Sequence, residues 1–454
     1  MTKRKYITYK NSGISWLGDI PEHWEIRRIK YVFMEVDSRS EAGKEDLLSV
    51  SQYTGVTKKS DKVAEGENIS NARTLEGYKI VEKGDLVINI MLAWNGSLGI
   101  SKYNGIVSPA YCVYKNLVGN EKYFGYLFKT KNAQQEFKKQ STGIIDSRLR
   151  MYTDSFFDIK TCLPSKQEQI TIANFLDYKT EKINRFIKKK KQLIKLLKEQ
   201  KAGVISQAVT KGLDPIVSMK VSGIEWLGEI PEHWEVKPLK YIANSVLGKM
   251  LCNEDKGGYQ KKFYLKSKNI QWLNADVSDV EEMWFSEKEM ATYRLKKGDL
   301  VLSEGGEAGK TCLWENQLSE CYIQNSAHKV TINNNGFSKF FLYLFFIYGK
   351  KGGFDSIVNR VSIAHLTKDK LINLKCLVPN LEEQKLIVNY IETETKIIDK
   401  TIFTIQKEIT LVEEYKTALI AEAVTGKIDV RDFKLPKKET PLAMVAEEAA
   451  HYNK

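Results

Sequence analysis

The sequence predicts a mixed α/β (α+β) fold, built as a tandem pseudo-repeat with two long helices that pair as an antiparallel coiled coil. Three observations carry this prediction. One 14-residue motif occurs twice, short strand-like runs fill the middle of each copy, and a long heptad pattern ends each copy. Segments that recur in the same order indicate two similarly folded units. We therefore expect two modules, each followed by one long helix.

The repeat consists of four matched segments. Residues 12–25 read SGISWLGDIPEHWE and residues 222–235 read SGIEWLGEIPEHWE, identical at 12 of 14 positions and 210 residues apart. The other matches are KGDLVI (83–88) with KGDLVL (297–302), LPSKQEQ (163–169) with VPNLEEQ (378–384), and AVT (208–210) with AVT (423–425). The duplicated frame is thus constant, whereas the sequence between these segments diverges.

The divergent parts carry both strand and helix signals. Residues 85–93, 106–114 and 299–302 are rich in β-branched and aromatic side chains and are bounded by Gly, Asn or Asp, which is typical of strands. Residues 123–140 show helical spacing of apolar side chains. These signals place the divergent parts in the mixed α and β class.

A heptad pattern follows the second Pro-containing segment in each copy. Apolar residues recur at alternating spacings of three and four. They are Leu176, Ile183, Ile187, Ile194, Leu197 and Val204 in the first copy, and Ile391, Ile398, Ile402, Ile405, Ile409, Val412 and Leu419 in the second. Polar interruptions also match, Thr180 with Thr395 and Lys201 with Lys416, while Lys190 fills one apolar slot of the first copy.

Each helix is expected to run for about 40 residues, or roughly 60 Å at 1.5 Å per residue. Its apolar stripe could pack on its own globular module or on the other helix. We favour pairing of the two helices, because a seven-residue period sustained over four or more heptads is the seam of a coiled coil.

Composition points to a polyanionic partner. The chain has 454 residues, 70 Lys plus Arg against 57 Asp plus Glu, and a formal net charge of +13. Such a balance favours nucleic acid as the partner. The longest fully apolar run, residues 340–348, is too short to cross a membrane, and no apolar stretch follows the basic N-terminus. We therefore expect a cytoplasmic protein.

No catalytic or metal-binding motif emerges. The six cysteines lack CxxC spacing and the five histidines lack HxxxH or HExxH spacing, so no metal site is predicted. Residues 304–311, EGGEAGKT, lack the first glycine of a phosphate-binding loop. The tryptophans of the 14-residue motif could stack on bases, but their repetition within the constant frame favours packing inside each module. The chain resembles a binder rather than a catalyst.

Residues that read a DNA sequence must vary where they read, so the basic residues of the divergent parts are the candidates for DNA contact. Contacts from Lys and Arg to phosphates would position the protein, and contacts to base edges would specify the site. The candidates are Lys58, Lys59, Arg73, Arg148 and Arg150 in the first copy, and Lys249, Lys261, Lys262, Lys266, Lys268, Lys329 and Arg360 in the second.

Taken together, the motif SG-I-x-WLG-[DE]-IPEHWE, the Pro-x-x-[EQ]-EQ entry into a long helix, and the duplication of both resemble the specificity (S) subunit of type I restriction-modification systems, the HsdS family. The likeness covers the frame of both halves, about a third of the chain. Family members often carry a double proline before the Glu-Gln pair, whereas here Ser165 and Asn380 follow single prolines. The divergent segments would be the target-recognition domains.

The resemblance implies a non-catalytic subunit that binds double-stranded DNA at two unlike half-sites. Its expected partners are two modification (methyltransferase) subunits and, for cleavage, restriction (translocase and nuclease) subunits. S-adenosylmethionine, ATP and magnesium would belong to those partners, with no cofactor in this chain.

The implied domains are target-recognition domain 1 (1–165), spacer helix 1 (166–213), target-recognition domain 2 (214–380), spacer helix 2 (381–426) and a tail (427–454). Two alternatives remain open: a fused methyltransferase or nuclease with its own recognition part, and a purely structural coiled-coil scaffold. The missing cofactor fingerprint argues against the first. The positive charge and the two large divergent parts argue against the second.

Overall fold

The computed structural model describes residues 4–62, 74–355 and 365–436. The chain forms two compact units, of which the first holds residues 1–190 and 407–454 and the second holds residues 191–406. Each unit contains one copy of the 14-residue motif, which we call the anchor, and a part of each long helix. Within the described ranges, every helix is either too short or too polar to span a membrane.

Among its described residues, the first unit contains twelve strands and three short α-helices besides its parts of the two long helices. Its strands are β1 (Tyr9–Asn11), β2 (Asp19–Pro21), β3 (Glu25–Arg28), β4 (Phe33–Val36), β5 (Leu48–Ser51), β6 (Gly55–Lys58), β7 (Lys79–Val81), β8 (Leu86–Asn89), β9 (Leu98–Ile100), β10 (Gly105–Val107), β11 (Tyr111–Asn116) and β12 (Lys160–Leu163). Its α-helices are α1 (Glu121–Leu127), α2 (Lys131–Gln140) and α3 (Thr153–Asp158), and its 3-10 helices are Ile29–Tyr31, Ser60–Lys62, Ala93–Asn95 and Asp146–Arg148.

The second unit also combines short strands with short helices. The long helices α4 (Lys166–Lys211) and α8 (Leu381–Val424) each contribute a part to both units. The other helices are α5 (Glu287–Tyr293), α6 (Ser338–Lys350) and α7 (Lys368–Ile372), with 3-10 helices Leu239–Tyr241 and Ser267–Asn269. The strands are β13 (Met219–Val221), β14 (Glu229–Pro231), β15 (Glu235–Pro238), β16 (Ala243–Leu247), β17 (Gln260–Leu265), β18 (Ile270–Gln271), β19 (Asn274–Ala275), β20 (Glu281–Phe285), β21 (Leu300–Ser303), β22 (Thr311–Leu313), β23 (Tyr322–Ile323), β24 (Ala327–Ile332) and β25 (Lys375–Val378).

The repeat extends through the divergent sequence as a shared sheet. The first unit contains a four-stranded sheet in the order β4-β11-β8-β9, and the second contains one in the order β16-β24-β21-β22. Every pairing in both sheets is antiparallel. Each anchor also forms the same two ribbons, β1 with β2 and β3 with β12 in the first unit, and β13 with β14 and β15 with β25 in the second.

Each unit adds strands of its own to this common sheet. The first unit carries the hairpin β5-β6 and the pair β7-β10. The second carries a three-stranded sheet in the order β20-β17-β23 and the pair β18-β19. The two units therefore differ in the elements mounted on a shared frame.

The KGDLV segment forms the turn that enters the central strand of each shared sheet. Gly84 and Gly298 adopt φ values of 101° and 94°, which only glycine adopts at little cost. The next residue closes the turn, because the Asp85 carboxylate accepts the Glu82 N–H at 2.8 Å and Asp299 accepts the Lys296 N–H at 2.7 Å. The apolar residues that follow are buried in β8 and β21.

The anchor binds the first turn of a long helix through its histidine. In the first unit, His23 Nε2 lies 3.1 Å from Glu168 Oε2, and the Tyr6 hydroxyl donates to Glu168 Oε1 at 2.6 Å. In the second unit, His233 Nε2 lies 2.9 Å from Glu383 Oε2. The IPEHWE and Glu-Gln motifs thus recur together because their side chains contact each other.

The tryptophans of the anchors pack inside the units. Trp24 and Trp234 are fully buried and Trp16 is 6% exposed. Trp226 is partly buried and meets the Tyr348 ring edge-on, with centroids 4.7 Å apart. The prediction that these residues pack rather than stack on bases is confirmed.

The long helices begin at side-chain caps. The Ser165 hydroxyl accepts the Glu168 N–H at 3.3 Å, and the Asn380 side chain accepts the Glu383 N–H at 2.9 Å. Residues of this type satisfy backbone donors that have no partner within the helix. The residue after each single proline therefore acts as the N-cap.

The helices pair antiparallel within each unit. In the first unit, Lys190 lies 2.7 Å from Glu408 and Lys416 donates to Asn184 at 2.8 Å, so residue numbers rise on one helix as they fall on the other. In the second unit, Lys201 lies 2.7 Å from Asp399. All seam residues predicted from the heptad pattern are buried or partly buried. The predicted mixed fold and coiled coil are confirmed.

Three element assignments from the sequence were wrong in detail. Of residues 85–93, only Leu86–Asn89 form a strand, and Ala93 begins a 3-10 helix. Residues 123–140 form two helices rather than one, because the Thr130 hydroxyl accepts the Ala133 N–H at 3.3 Å and starts a new helix there. Residues 106–114 likewise belong to two strands, β10 and β11.

Candidate nucleic-acid interface

The predicted DNA contacts of the first unit lie partly on the β5-β6 hairpin. Lys58 ends β6 and forms an ion pair of 2.6 Å with Asp46, and Lys59 follows it with its side chain partly exposed. Arg73 lies outside the described residues. Lys58 and Lys59 are therefore adjacent cations at one end of this hairpin.

The other two candidates of this unit lie near the 3-10 helix Asp146–Arg148. Arg148 is exposed, whereas the Arg150 guanidinium donates to the carbonyl oxygens of Ser147 at 3.3 Å and Leu149 at 2.8 Å. The Arg150 side chain thus stabilises its own loop, whereas the Arg148 guanidinium is exposed there.

Four candidates of the second unit come together on β17 and the 3-10 helix that follows it. Each ammonium group has an acidic neighbour. The pairs are Lys261 with Glu282, Lys262 with Glu320, Lys266 with Glu281, and Lys268 with Asp279 and Glu281. Lys261 and Lys262 are consecutive residues of β17 and therefore point to opposite faces of its sheet. On each face a phosphate would compete with the neighbouring carboxylates for the lysines.

Glu281 contacts two of these lysines, Lys266 and Lys268. Hydrogen bonds from Lys266 and from the Tyr264 hydroxyl lower the pKa of Glu281 to about 2. The carboxylate therefore stays ionised at neutral pH and orients both lysines. An oriented ammonium group contacts an acceptor more specifically than a freely rotating one.

The Lys249 side chain is enclosed by other residues of the second unit. It is 8% exposed, forms an ion pair with Glu289, and its ammonium lies 4.8 Å from the centre of the Tyr259 ring and 5.2 Å from that of Phe285. A cation enclosed by two rings and a carboxylate is already satisfied within the unit.

The Lys329 ammonium group likewise has partners within the second unit. It is 8% exposed and its ammonium donates to the carbonyl oxygens of Thr292 at 2.6 Å and Arg294 at 3.0 Å, at the end of α5. Burial lowers the pKa of Lys329. Arg360 lies outside the described residues. The DNA role of these residues stays a prediction, and in the second unit it rests most directly on the four lysines around β17.

Sequence reasoning missed a basic cavity of about 370 Å³ in the first unit. Lys102, Lys122 and Lys129 line it, together with Thr54 and Thr57. No sequence signal marked it, because its lysines come from separate segments that only the fold brings together.

The sequence is similar to that of known specificity subunits. Residues 231–411 match the family model for the type I restriction modification DNA specificity domain. The type I restriction enzyme MjaVIII specificity subunit of Methanocaldococcus jannaschii is 26% identical over 441 residues, covering 91% of this chain and 95% of that relative. The putative type I restriction enzyme MjaX specificity subunit of the same organism is 25% identical, covering 91% and 96%.

The chain is thus similar to type I specificity subunits, the HsdS family, over 91% of its length.

A solved structure supports the fold over nearly the whole chain. This structure was described under the heading "structural basis underlying complex assembly and conformational transition of the type I R-M system". It matches this chain with a TM-score of 0.66 at 12% identity. The match covers 89% of this chain and 98% of the other. The role of an HsdS protein is that of a specificity subunit in a type I restriction-modification system.

Proposed function

We propose that each unit of this chain reads one part of an asymmetric, bipartite duplex DNA site. The observation that carries the proposal is the pair of shared four-stranded sheets bearing different additional strands. A constant frame holds two reading surfaces in equivalent ways, and different surfaces read different bases. Two unlike half-sites follow from two unlike modules, as a palindrome follows from two identical ones.

The constant frame would serve the partners. A surface that recurs in both units can bind the same protein twice, which suits two modification subunits. Restriction subunits would join them for cleavage. In this proposal the chain is non-catalytic, and S-adenosylmethionine, ATP and magnesium belong to the partner subunits.

Exchange of one reading module tests this function. Residues 26–150 are replaced by the corresponding segment of a related specificity subunit, and the methylation motif of the assembled enzyme is mapped on genomic DNA. We expect one half-site to change and the other to stay. A matched exchange of residues 166–211, which form α4, should leave both half-sites as they were.

Two outcomes would overturn the proposal. A module exchange that altered both half-sites together would show that the units do not read independently. Methyl transfer from labelled S-adenosylmethionine by highly purified chain alone would show that the chain is itself an enzyme.

A further inference from the structure

The basic cavity of the first unit contains two lysines that have no acidic partner in the described part of the chain. Asp177 also lines it, but its Oδ2 accepts from Lys122 at 2.7 Å and its Oδ1 accepts from the Tyr126 hydroxyl at 2.7 Å. Among the described residues, no carboxylate forms an ion pair with Lys102 or Lys129. The carboxylate in the cavity is thus satisfied, and two ammonium groups are left over.

Lys129 is the more enclosed of the two. It is only partly exposed, and burial lowers the pKa of its ammonium, with the charge of Lys102 adding to the same effect. An ammonium held in this way is destabilised unless an anion approaches it. The free protein therefore keeps an unfavourable charge at this position.

The wall of the cavity is shaped to leave room beside Lys129. Gly55 begins β6 with φ of 66°, and a Cβ atom there would lie 3.2 Å from the Lys129 ammonium. Gly99 faces Gly55 so closely that a Cβ atom on Gly99 would lie 3.2 Å from the Gly55 Cα. Side chains at these two positions would crowd the site.

Hydroxyl groups complete the lining. Thr54 and Thr57 come from the β5-β6 hairpin, and their oxygens lie 2.8 Å from Ser51 Oγ and 3.2 Å from Ser49 Oγ. Ammonium and hydroxyl groups that line the same cavity are of the kinds that bind phosphate oxygens in proteins.

We propose that this cavity binds a phosphate group, with Lys129 and Lys102 as its cationic ligands. Two unpaired cations match the charge of nearly two that a phosphate monoester or inorganic phosphate carries. The cavity volume of about 370 Å³ admits a phosphate with part of the molecule that bears it. This charge match favours a free phosphate compound over the backbone of duplex DNA, whose phosphodiesters carry one negative charge each, and the duplex arm of the test distinguishes the two sources. The inference does not depend on the reading function proposed above.

Thermal unfolding of the full chain tests the site with inorganic phosphate as the probe. Phosphate is compared with chloride at equal ionic strength for the wild type, Lys129→Gln, Lys102→Gln and the control Lys131→Gln, an exposed lysine of α2. Phosphate stabilises folded proteins in general by exclusion from their surface, so the difference between variants is the signal. We expect phosphate to raise the unfolding temperature of Lys131→Gln as much as that of the wild type. In Lys129→Gln we expect a smaller rise, because only the general effect of phosphate remains.

Calorimetric titration should agree, with phosphate affinity reduced about tenfold or more in Lys129→Gln, since a charge-assisted hydrogen bond is lost. Without phosphate, Lys129→Gln should unfold at the same temperature as the wild type or higher. That result would show that the variant folds and that Lys129 is not needed for stability.

Duplex binding by the assembled methyltransferase identifies the source. If Lys129→Gln weakens duplex binding, the site holds a DNA phosphodiester. If it leaves duplex binding unchanged but abolishes the phosphate response, the site holds a free phosphate compound. Equal phosphate responses and equal duplex affinities in the wild type and Lys129→Gln would overturn the proposal. Because the phosphate arm uses the chain alone, its failure is distinct from failure of DNA reading.

Discussion

At the scale of single residues, two glutamines connect the long helices to the modules. Gln169 is 1% exposed; its amide nitrogen donates to the Pro164 carbonyl at 2.8 Å, and its oxygen accepts the N–H of Asn120, the N-cap of α1, at 2.8 Å. Gln384 makes the equivalent bonds to Pro379 and to Phe337, the N-cap of α6, both at 2.8 Å. These hydrogen bonds explain why a glutamine recurs at this position near the start of both long helices.

We expect Gln169→Ala and Gln384→Ala each to lower the free energy of unfolding by about 1–3 kcal/mol, because each leaves buried backbone groups without partners. Denaturant unfolding measures this loss. Gln167→Ala changes an exposed glutamine of the same turn and should be close to neutral. A loss of equal size in Gln167→Ala would contradict the assignment.

His328 predicts a pH dependence in the second unit. The side chain is fully buried, Nε2 lies 2.7 Å from the Leu366 carbonyl oxygen and therefore carries the proton, and Nδ1 has no partner among the described residues. Burial lowers the pKa of His328 below its ordinary value of 6.5, and the charge of Lys368 lowers it further. The folded state thus favours the neutral ring.

Since the folded pKa lies below the unfolded one, the contribution of His328 is fully present above pH 6.5 and is lost as the pH falls. The free energy of unfolding should decrease on acidification by no more than about 1.4 kcal/mol per pH unit from this residue. In His328→Gln, the free energy of unfolding should lack this part of its decrease on acidification. The exposed control His365→Gln should retain it. Parallel pH profiles for the wild type and His328→Gln would refute the prediction.

The candidate basic residues show what a sequence can and cannot reveal. Net charge and divergence select Lys249 and Lys261 equally, yet Lys249 is enclosed by two rings and a carboxylate whereas Lys261 is exposed. The difference arises because Tyr259, Phe285 of β20 and Glu289 of α5, which are distant from Lys249 in sequence, enclose its ammonium group. For the same reason Lys102 and Lys129 had no signal in the sequence.

At the scale of elements, the long helices were the most predictable part. Heptad spacing gave about 40 residues, and the structure has 46 in α4 and 44 in α8. Each polar interruption also has a physical reason. Thr180 and Thr395 donate to the carbonyl four residues earlier, at 2.6 and 2.7 Å, and the interrupting lysines reach Glu408, Asp399 or Asn184 on the other helix.

The strands were less predictable because their order depends on long-range pairing. The KGDLV turn could be recognised from its repetition, and β8 and β21 follow it in both units. One partner of each strand, β9 or β22, lies about ten residues away, but the other, β11 or β24, comes from more than 20 residues away in a sequence that diverges. The common sheet was therefore hidden until the pairing was known.

The seam of the coiled coil makes a further prediction. Ile402 is 9% exposed on the seam of α8, whereas Ile397 is 75% exposed on the same helix. We expect Ile402→Ala to lower the free energy of unfolding by about 2–3 kcal/mol through lost burial and an unfilled space. Ile397→Ala should change it by less than about 0.5 kcal/mol. Denaturant unfolding compares the two, and similar losses would place the seam elsewhere.

At the scale of the whole molecule, duplication explains the division between constant and variable sequence. The contact between the anchor histidine and the first turn of a long helix recurs in both units, as His23 with Glu168 and His233 with Glu383. The variable parts carry the strands that differ. Under the proposed function, reading surfaces can change in evolution without disturbing assembly.

The proposed function makes the helix pair a ruler for the distance between the half-sites. Deleting one matched heptad, residues 187–193 and 402–408, removes both partners of the Lys190–Glu408 ion pair and preserves the heptad register on either side. The pair shortens by about 10 Å, or roughly three base pairs of rise. Methylation mapping of the assembled enzyme should then show unchanged half-sites with a shorter spacer.

The DNA helix adds a rotational constraint to this shortening. Three base pairs correspond to about 100° of twist at 10.5 base pairs per turn, so affinity should fall even where the shorter spacer is preferred. Deleting residues 187–193 alone breaks the match between the helices and should abolish methylation, which provides the control. An unchanged spacer with full activity would mean that the helices do not set the separation, whereas altered half-sites would mean that the helices help to read bases.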